Sequence, residues 1–363
     1  MGKADFAKRG ALAQAAAALL LALLAAGLLG VTSALAATET ATTEDGATIW
    51  QRIWGDDALG TMAAVAEEGF ASADTVIVAT KDGYWDALSA SSLAGACKAP
   101  VLLTDSTRLS PEAKAQIDRL RPARAYICGG PASVNENVQT SLEGLVGASG
   151  VKRLGGSDAS DTAGLIASET FAVLKANGEA VPETCVIAAS SGYWDALSAS
   201  PYSYASHAPI YLTGPSGLSA SVRADIEANG FKRAIVCGGE MTVPKTVEAQ
   251  LSRAKVTEVT RKAGESAYET SAHMASRSLL EGMSVDGMGV ATASGYWDAV
   301  TGAALCGSRN TVLVLADDGN RTAVDEVYMA HREVAKKGFV FGGPASVTEE
   351  TWRYLLVERA PGT

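Results

Sequence analysis

The chain has 363 residues, 47% of them hydrophobic and 19% charged, with 30 Lys and Arg against 40 Asp and Glu, for a formal net charge of −10. An acidic surface argues against nucleic acid as a partner, because phosphates call for a basic face. The five cysteines are odd in number and contain no C-x-x-C, so neither a disulfide framework nor a zinc site is indicated.

Lys3, Lys8 and Arg9 precede an apolar run from Ala15 to Leu29, and Ala34-Leu35-Ala36 follow it. That order is the signature of a secretory signal peptide, predicted over residues 1–36, with an uncleaved membrane anchor as the alternative. No later stretch approaches the roughly 18 apolar residues that a membrane span needs, and no cysteine near the cleavage point offers a lipid attachment site. After cleavage no membrane attachment is expected. Residues 37–47 are polar, Thr-rich and without periodicity, and are expected to form a disordered spacer.

From residue 48 onward short apolar runs alternate with amphipathic ones. Strands are predicted at Thr48–Trp54, Val76–Ala79, Val101–Leu103 and Ala125–Cys128, with helices near Thr61–Glu68, Trp85–Ala96, Pro111–Leu120 and Val134–Val146. The same grammar continues with strands at Cys185–Ala188, Ile210–Leu212 and Ala234–Val236, then at Met288–Ala291, Val312–Leu315 and Phe339–Phe341. Continuous apolar strands alternating with helices predict βαβ units and parallel sheets buried on both faces. The fold class is therefore α/β, with three tandem parallel-sheet domains of Rossmann or toprim type over residues 48–148, 149–255 and 256–363. The joints are too short to be tethers, so the domains are expected to pack about a pseudo-threefold axis.

Three motifs keep this period. The first reads Asp82-Gly83-Tyr84-Trp85-Asp86-Ala87, Ser191-Gly192-Tyr193-Trp194-Asp195-Ala196 and Ser294-Gly295-Tyr296-Trp297-Asp298-Ala299. The second is a glycine pair at Gly129-Gly130, Gly238-Gly239 and Gly342-Gly343. The third is R-x-x-G-x-x-A-x-x-T, from Arg52 to Thr61, Arg153 to Thr162 and Arg261 to Thr270. All fall on strand-to-helix loops, so the three motifs of each repeat are expected to converge at the carboxyl edge of its sheet.

Each motif has two readings. The glycine pairs suit a phosphate cradle, yet Ser133 followed by Glu136, and Ser346 by Glu349, match a capping box, and no G-x-x-x-x-G-K-[ST] occurs. Tyr-Trp-Asp at a helix start either turns its rings to a sugar or partner, or wedges them into the core. Arg52, Arg153 and Arg261 either bridge to acids such as Asp57, Asp158 and Glu269 or grip an anion. His207, His273 and His331 occupy unrelated positions in the repeats, and G-x-S-x-G and H-E-x-x-H are absent, so no catalytic set is expected. No metal site or cofactor is indicated.

Taken together, Arg153-Leu154-Gly155-Gly156-Ser157-Asp158 with Thr162-Ala163, Tyr268-Glu269-Thr270, Asp-Ala-Leu-Ser at 86–89 and 195–198, Pro100-Val101-Leu102-Leu103-Thr104 and the glycine pairs resemble the cell wall binding repeat 2 family, found in tandem threes on Gram-positive surface proteins. The resemblance covers about residues 48–357. It implies a secreted, non-catalytic anchor whose three modules hold an anionic wall polysaccharide or teichoic-acid-like polymer at the cell surface. The arginines, the Tyr-Trp-Asp triplets and the glycine pairs are the candidate contacts. Repeat three departs from the pattern, with Asp298-Ala299-Val300-Thr301 for Asp-Ala-Leu-Ser, so unequal sites are expected. A surface-coat or adhesion component with a protein ligand, and a secreted wall hydrolase, are the rival readings.

Overall fold

The first glycine of each pair has a backbone that other residues rarely adopt, with φ of +120° at Gly129, +118° at Gly238 and +111° at Gly342. Each closes the carboxyl end of a strand at the centre of its sheet, and three such sheets make up the protein. A computed structural model describes residues 37–357; the predicted signal peptide lies outside the described residues.

In chain order the described elements begin with β1 (Ala37–Thr42), β2 (Ile49–Trp54) and α1 (Ala58–Gly69), followed by β3 (Thr75–Thr80), α2 (Trp85–Ser89), α3 (Ser91–Cys97), β4 (Val101–Thr104), α4 (Pro111–Leu120), β5 (Arg124–Cys128) and α5 (Glu136–Val146). The second round comprises β6 (Val151–Leu154), α6 (Ala159–Ala176), β7 (Thr184–Ala189), α7 (Trp194–Ser206), β8 (Ile210–Thr213), α8 (Ala220–Asn229), β9 (Arg233–Cys237) and α9 (Thr246–Arg253). The third comprises β10 (Glu258–Lys262), α10 (Ala267–Leu280), β11 (Ser284–Ala291), α11 (Trp297–Ser308), β12 (Thr311–Leu315), β13 (Lys337–Phe341) and α12 (Glu349–Leu356). Local chemistry sets these boundaries. In α4, Ser110 accepts from Ala113 N–H, Pro111 opens the first turn, and Arg121 ends the helix in the left-handed region.

The sheets order as β4-β3-β5-β6, β10-β9-β7-β8 and β1-β2-β13-β11-β12. All pairs are parallel except β1 with β2. Central strands such as β3 and β7 are buried at every position, as layers of helix on both faces require. The strand that carries the motif arginine sits in the sheet of the preceding copy. β6 completes the sheet of β3–β5, β10 that of β7–β9, and β2 closes the ring on β13. The helix after each such strand then crosses to the next sheet. Thus α1 leaves the third sheet to pack on β4 and α4 of the first.

Helices α3, α7 and α11 meet about the pseudo-threefold axis. Their small residues permit the approach: a Cβ on Gly95 would lie 1.9 Å from the Tyr204 carbonyl oxygen, and one on Gly307 would lie 2.4 Å from the Tyr204 Cβ.

Two expectations are corrected. Residues Ala37–Thr42 form a strand instead of belonging to a spacer, pairing antiparallel with β2 in the register Glu39 opposite Arg52. Their alternating half-buried and exposed pattern is what one covered edge and one wet face demand, and β-branched threonines suit it. Nor do Ser133 and Ser346 cap helices. Asn135 caps α5 and Thr348 caps α12, each accepting from two backbone N–H groups of the first turn, which leaves the serine hydroxyls for another task.

Candidate functional site at the joints between copies

The third motif is a strand-to-helix joint. After Arg52 leaves β2, Gly55 N–H donates to Thr61 Oγ1 (3.2 Å), and Asp57 caps α1 by accepting from Gly60 N–H (2.8 Å). Gly156 with Thr162 (3.0 Å) and Gly264 with Thr270 (3.0 Å) repeat the clamp, with Asp158 and Ser266 as caps. Because Asp57 and Asp158 are consumed as caps, the arginines pair elsewhere.

Arg52 is fully buried. Its Nη1 meets Glu349 Oε1 at 2.8 Å, its Nη2 donates to the Val347 carbonyl at 3.2 Å, and its guanidinium lies 4.7 Å from the ring centre of Trp352. Arg153 Nη1 donates to the carbonyls of Gly129 (2.9 Å) and Val134 (2.7 Å), and its Nε to Gln139 Oε1 (3.0 Å). Arg261 does the same with Gly238 (2.7 Å), Val243 (2.9 Å) and Glu248 (2.9 Å). Each fork therefore staples the loop that carries a glycine pair to the strand beside it.

Beneath each glycine pair lies the aspartate of a Tyr-Trp-Asp triplet. A Cβ on Gly129, Gly238 or Gly342 would come within 2.5, 2.2 and 2.6 Å of the Oδ2 of Asp86, Asp195 and Asp298. All three carboxyls are buried, and burial pushes each upward from the ordinary aspartate range, Asp195 to about 6. Hydrogen bonds from Ser133, Thr242 and Ser346 hold them back in part; Thr242 Oγ1 donates to Asp195 Oδ2 at 2.9 Å. Those three hydroxyls stand four residues after the first glycine of each pair, a repeat visible in the sequence and unused there.

The aromatic residues join the copies. Tyr84 and Trp85 both donate to the Ser190 carbonyl (3.0 and 2.8 Å), Tyr193 and Trp194 to that of Ala293 (2.9 and 2.8 Å), and Tyr296 and Trp297 to that of Lys81 (2.8 and 2.7 Å). The cycle closes, and the tyrosine rings meet on the axis with centroids 5.6, 5.6 and 5.4 Å apart. Each tryptophan keeps 38–39% of its surface exposed.

The three motifs do converge, but from two consecutive copies. At the joint of copies three and one, a cleft of about 300 Å³ is lined by Trp54, Gly55, Asp57 and Thr61 on one side and by Trp297, Asp298, Gly343 and Ser346 on the other. The expectation that the motifs of one repeat would meet is corrected by the exchange of the arginine strand. At the joint of copies one and two the same parts touch, a Cβ on Gly155 falling 2.6 Å from Gly130 Cα. At the joint of copies two and three, Gly238 N–H donates to the Lys262 carbonyl at 2.8 Å, and Gly239 follows it in the turn.

Among the described residues no group of His, Cys, Asp and Glu is arranged to hold a metal ion, and the five cysteines are unpaired thiols. No helix among them is long and apolar enough to cross a membrane.

The chain is 28% identical over 270 residues to the N-acetylmuramoyl-L-alanine amidase LytC of Bacillus subtilis, covering 74% of this chain and 51% of that protein. It is 24% identical over 316 residues to the amidase enhancer of the same organism, covering 87% and 41%. The chain thus spans about half the length of these relatives. Among solved structures, Cwp8 from Clostridium difficile superposes with a TM-score of 0.74 at 26% identity over 84% of this chain and 51% of that one. Cwp6 from the same organism gives 0.72 at 20% identity over 86% and 49%, a likeness of fold. The model of cell wall binding domain 2 matches three times, at residues 52–139, 153–248 and 261–351, and the chain belongs to that family.

Proposed function

We propose that the chain is a secreted, non-catalytic anchor that holds an anionic secondary wall polymer at the joints between its copies, by the polymer's sugar rings more than by its charge. One observation carries this reading. At the cleft of copies three and one, the partly exposed side chains of Trp297 and Trp54 stand with the exposed carboxylate of Asp57, a pairing of aromatic rings with a hydrogen-bond acceptor that suits sugar rings and their hydroxyls. Arg52, Arg153 and Arg261 direct their donors inward to carbonyls and acids, which supports a positioning role for them. A net charge of −10 likewise favours recognition by ring faces over long-range attraction. Equivalent weak sites at the three joints would gain avidity along a repetitive polymer.

The activity in the amidase's name is said of that protein. We assign the half shared with this chain to wall retention, because the family model matches this chain at residues 52–139, 153–248 and 261–351. The test is co-sedimentation with purified cell walls before and after acid extraction of secondary polymers, with Trp54→Ala beside the native chain. Binding that is lost on extraction and weakened by W54A is expected. Binding indifferent to extraction would overturn the assignment.

A further inference from the structure

The third sheet ends on β1, whereas β6 and β10 are the outermost strands of the first and second sheets. β10 reads Glu258-Val259-Thr260-Arg261-Lys262, and no residue in it is fully buried. Its inner side is committed to β9. Glu258 N–H donates to the Lys232 carbonyl (3.0 Å), and the Lys262 carbonyl accepts from Gly238 N–H (2.8 Å). Alternate residues of a strand turn their polar backbone to opposite sides, so Val259 and Arg261 direct theirs to the open edge.

That edge is its own complement. When a second copy of β10 is laid antiparallel with Thr260 facing Thr260, Val259 falls opposite Arg261 and Glu258 opposite Lys262. The outward-facing residues 259 and 261 then form the hydrogen-bonded pairs, and 258 with 262 the closer non-hydrogen-bonded pairs, where opposite charges act most strongly. Among the described residues neither Glu258 nor Lys262 has an ion-pair partner. The same construction on β6 would set Lys152 on Lys152, and that lysine is already paired with Glu169. Charge therefore favours self-pairing at β10 and opposes it at β6.

We propose that the chain forms a twofold dimer by antiparallel pairing of β10 with β10 of a second copy, fusing two four-stranded sheets into one. The contact is isologous, so the Glu258–Lys262 and Val259–Arg261 pairs each occur twice, about a single Thr260–Thr260 pair on the axis. It is also small, so the dimer dissociates on dilution and in high salt. The proposal is independent of what the clefts hold.

Sedimentation velocity of the full chain over a concentration series tests it. The weight-average sedimentation coefficient is expected to rise with concentration and to fall with added salt. Glu258→Lys and Lys262→Glu, each replacing attraction with repulsion at two pairs, should each weaken association about tenfold or more. The double variant E258K/K262E recreates the complement and should restore association to within a few-fold of native. Circular dichroism checks that these surface changes leave the fold intact. A chain that stays monomeric to its solubility limit overturns the proposal, as does a dimer that the single reversals leave unchanged or the double variant fails to restore.

Discussion

Replacing Arg52 by Met separates the two roles its position allows. The side chain is fully buried, so removing the guanidinium strands the Val347 carbonyl, weakens the hold on Thr348, and leaves Glu349 without its cation. A buried acceptor left unpaired costs about 1–3 kcal/mol, and the lost stacking on Trp352 adds about 1 kcal/mol. Glu349 is half exposed and rehydrates cheaply. Arg52 Nε has no partner in the native protein, so the variant also relieves part of the cost of burying a charge. The net expectation is a loss of roughly 3 kcal/mol, which for a chain of this size lowers the melting temperature by roughly 5 °C. Thermal unfolding followed by circular dichroism reads that loss, and wall co-sedimentation well below the transition reads binding per folded molecule. The expected result is a lowered melting temperature with unchanged binding. An unchanged melting temperature with binding reduced tenfold would show that the guanidinium reaches the ligand and would refute the reasoning.

Gly342→Ala forces a Cβ to within 2.6 Å of Asp298 Oδ2 at φ +111°; a loss of about 2–4 kcal/mol is expected, and a melting temperature within 1 °C of native would contradict it. The Asp195 carboxyl lies at about 6 in the folded chain against 3.8 unfolded, so the folded state binds more protons between those values and stability falls as pH rises through that window, by about 3 kcal/mol in total. Urea unfolding at pH 4.5 and pH 7 should show that trend, and Asp195→Asn should lessen it, with Asp86 and Asp298 contributing the remainder in the same direction. Tyr193→Phe should cost under about 1 kcal/mol, because Trp194 still donates to the Ala293 carbonyl, and Trp194→Phe likewise. The double variant leaves that oxygen bare and should cost more than the sum of the two singles, which a double-mutant cycle reads directly.

The strands and helices were legible because buried parallel strands are written as unbroken apolar runs: Val76–Ala79 and Ala125–Cys128 fall inside β3 and β5. The phase of the repeat was not. A periodic sequence looks the same wherever it is cut, and nothing local tells whether the strand of Arg153 pairs forward or back. Only the pairing of β2 with β13 reveals that the exchange closes a ring, and that is a long-range fact. Ala37–Thr42 escaped notice because an edge strand with one wet face carries little apolar signal. Ser133 was misread because the serine-to-glutamate spacing of a capping box also arises when the serine serves a buried carboxyl and Asn135 caps the helix. The Tyr-Trp-Asp triplets stood out at once, while their partners did not, since Ser190, Ala293 and Lys81 act through backbone carbonyls that no side-chain pattern records.

Exchange of the arginine strand means that no copy owns a complete cleft, and the joint of copies three and one depends on the first described residues of the chain. β2 supplies Trp50, fully buried and edge-on to Tyr328 at 5.0 Å, together with Ile53, Arg52 and one wall of the cleft. Removing residues 37–54 therefore deletes two strands of the third sheet. The loss of Trp50 alone costs about 3–5 kcal/mol, and the β13 edge is laid bare to solvent. The shortened chain should keep the first two sheets and lose protection in the third, so limited proteolysis should cut within 284–357 while residues 75–262 survive. A synthetic peptide of residues 37–54 added in trans should restore protection, since it carries the whole missing edge. Equal resistance of the shortened and full chains would mean that the third sheet stands without β2, and the closed ring would then contribute nothing to the stability of that joint.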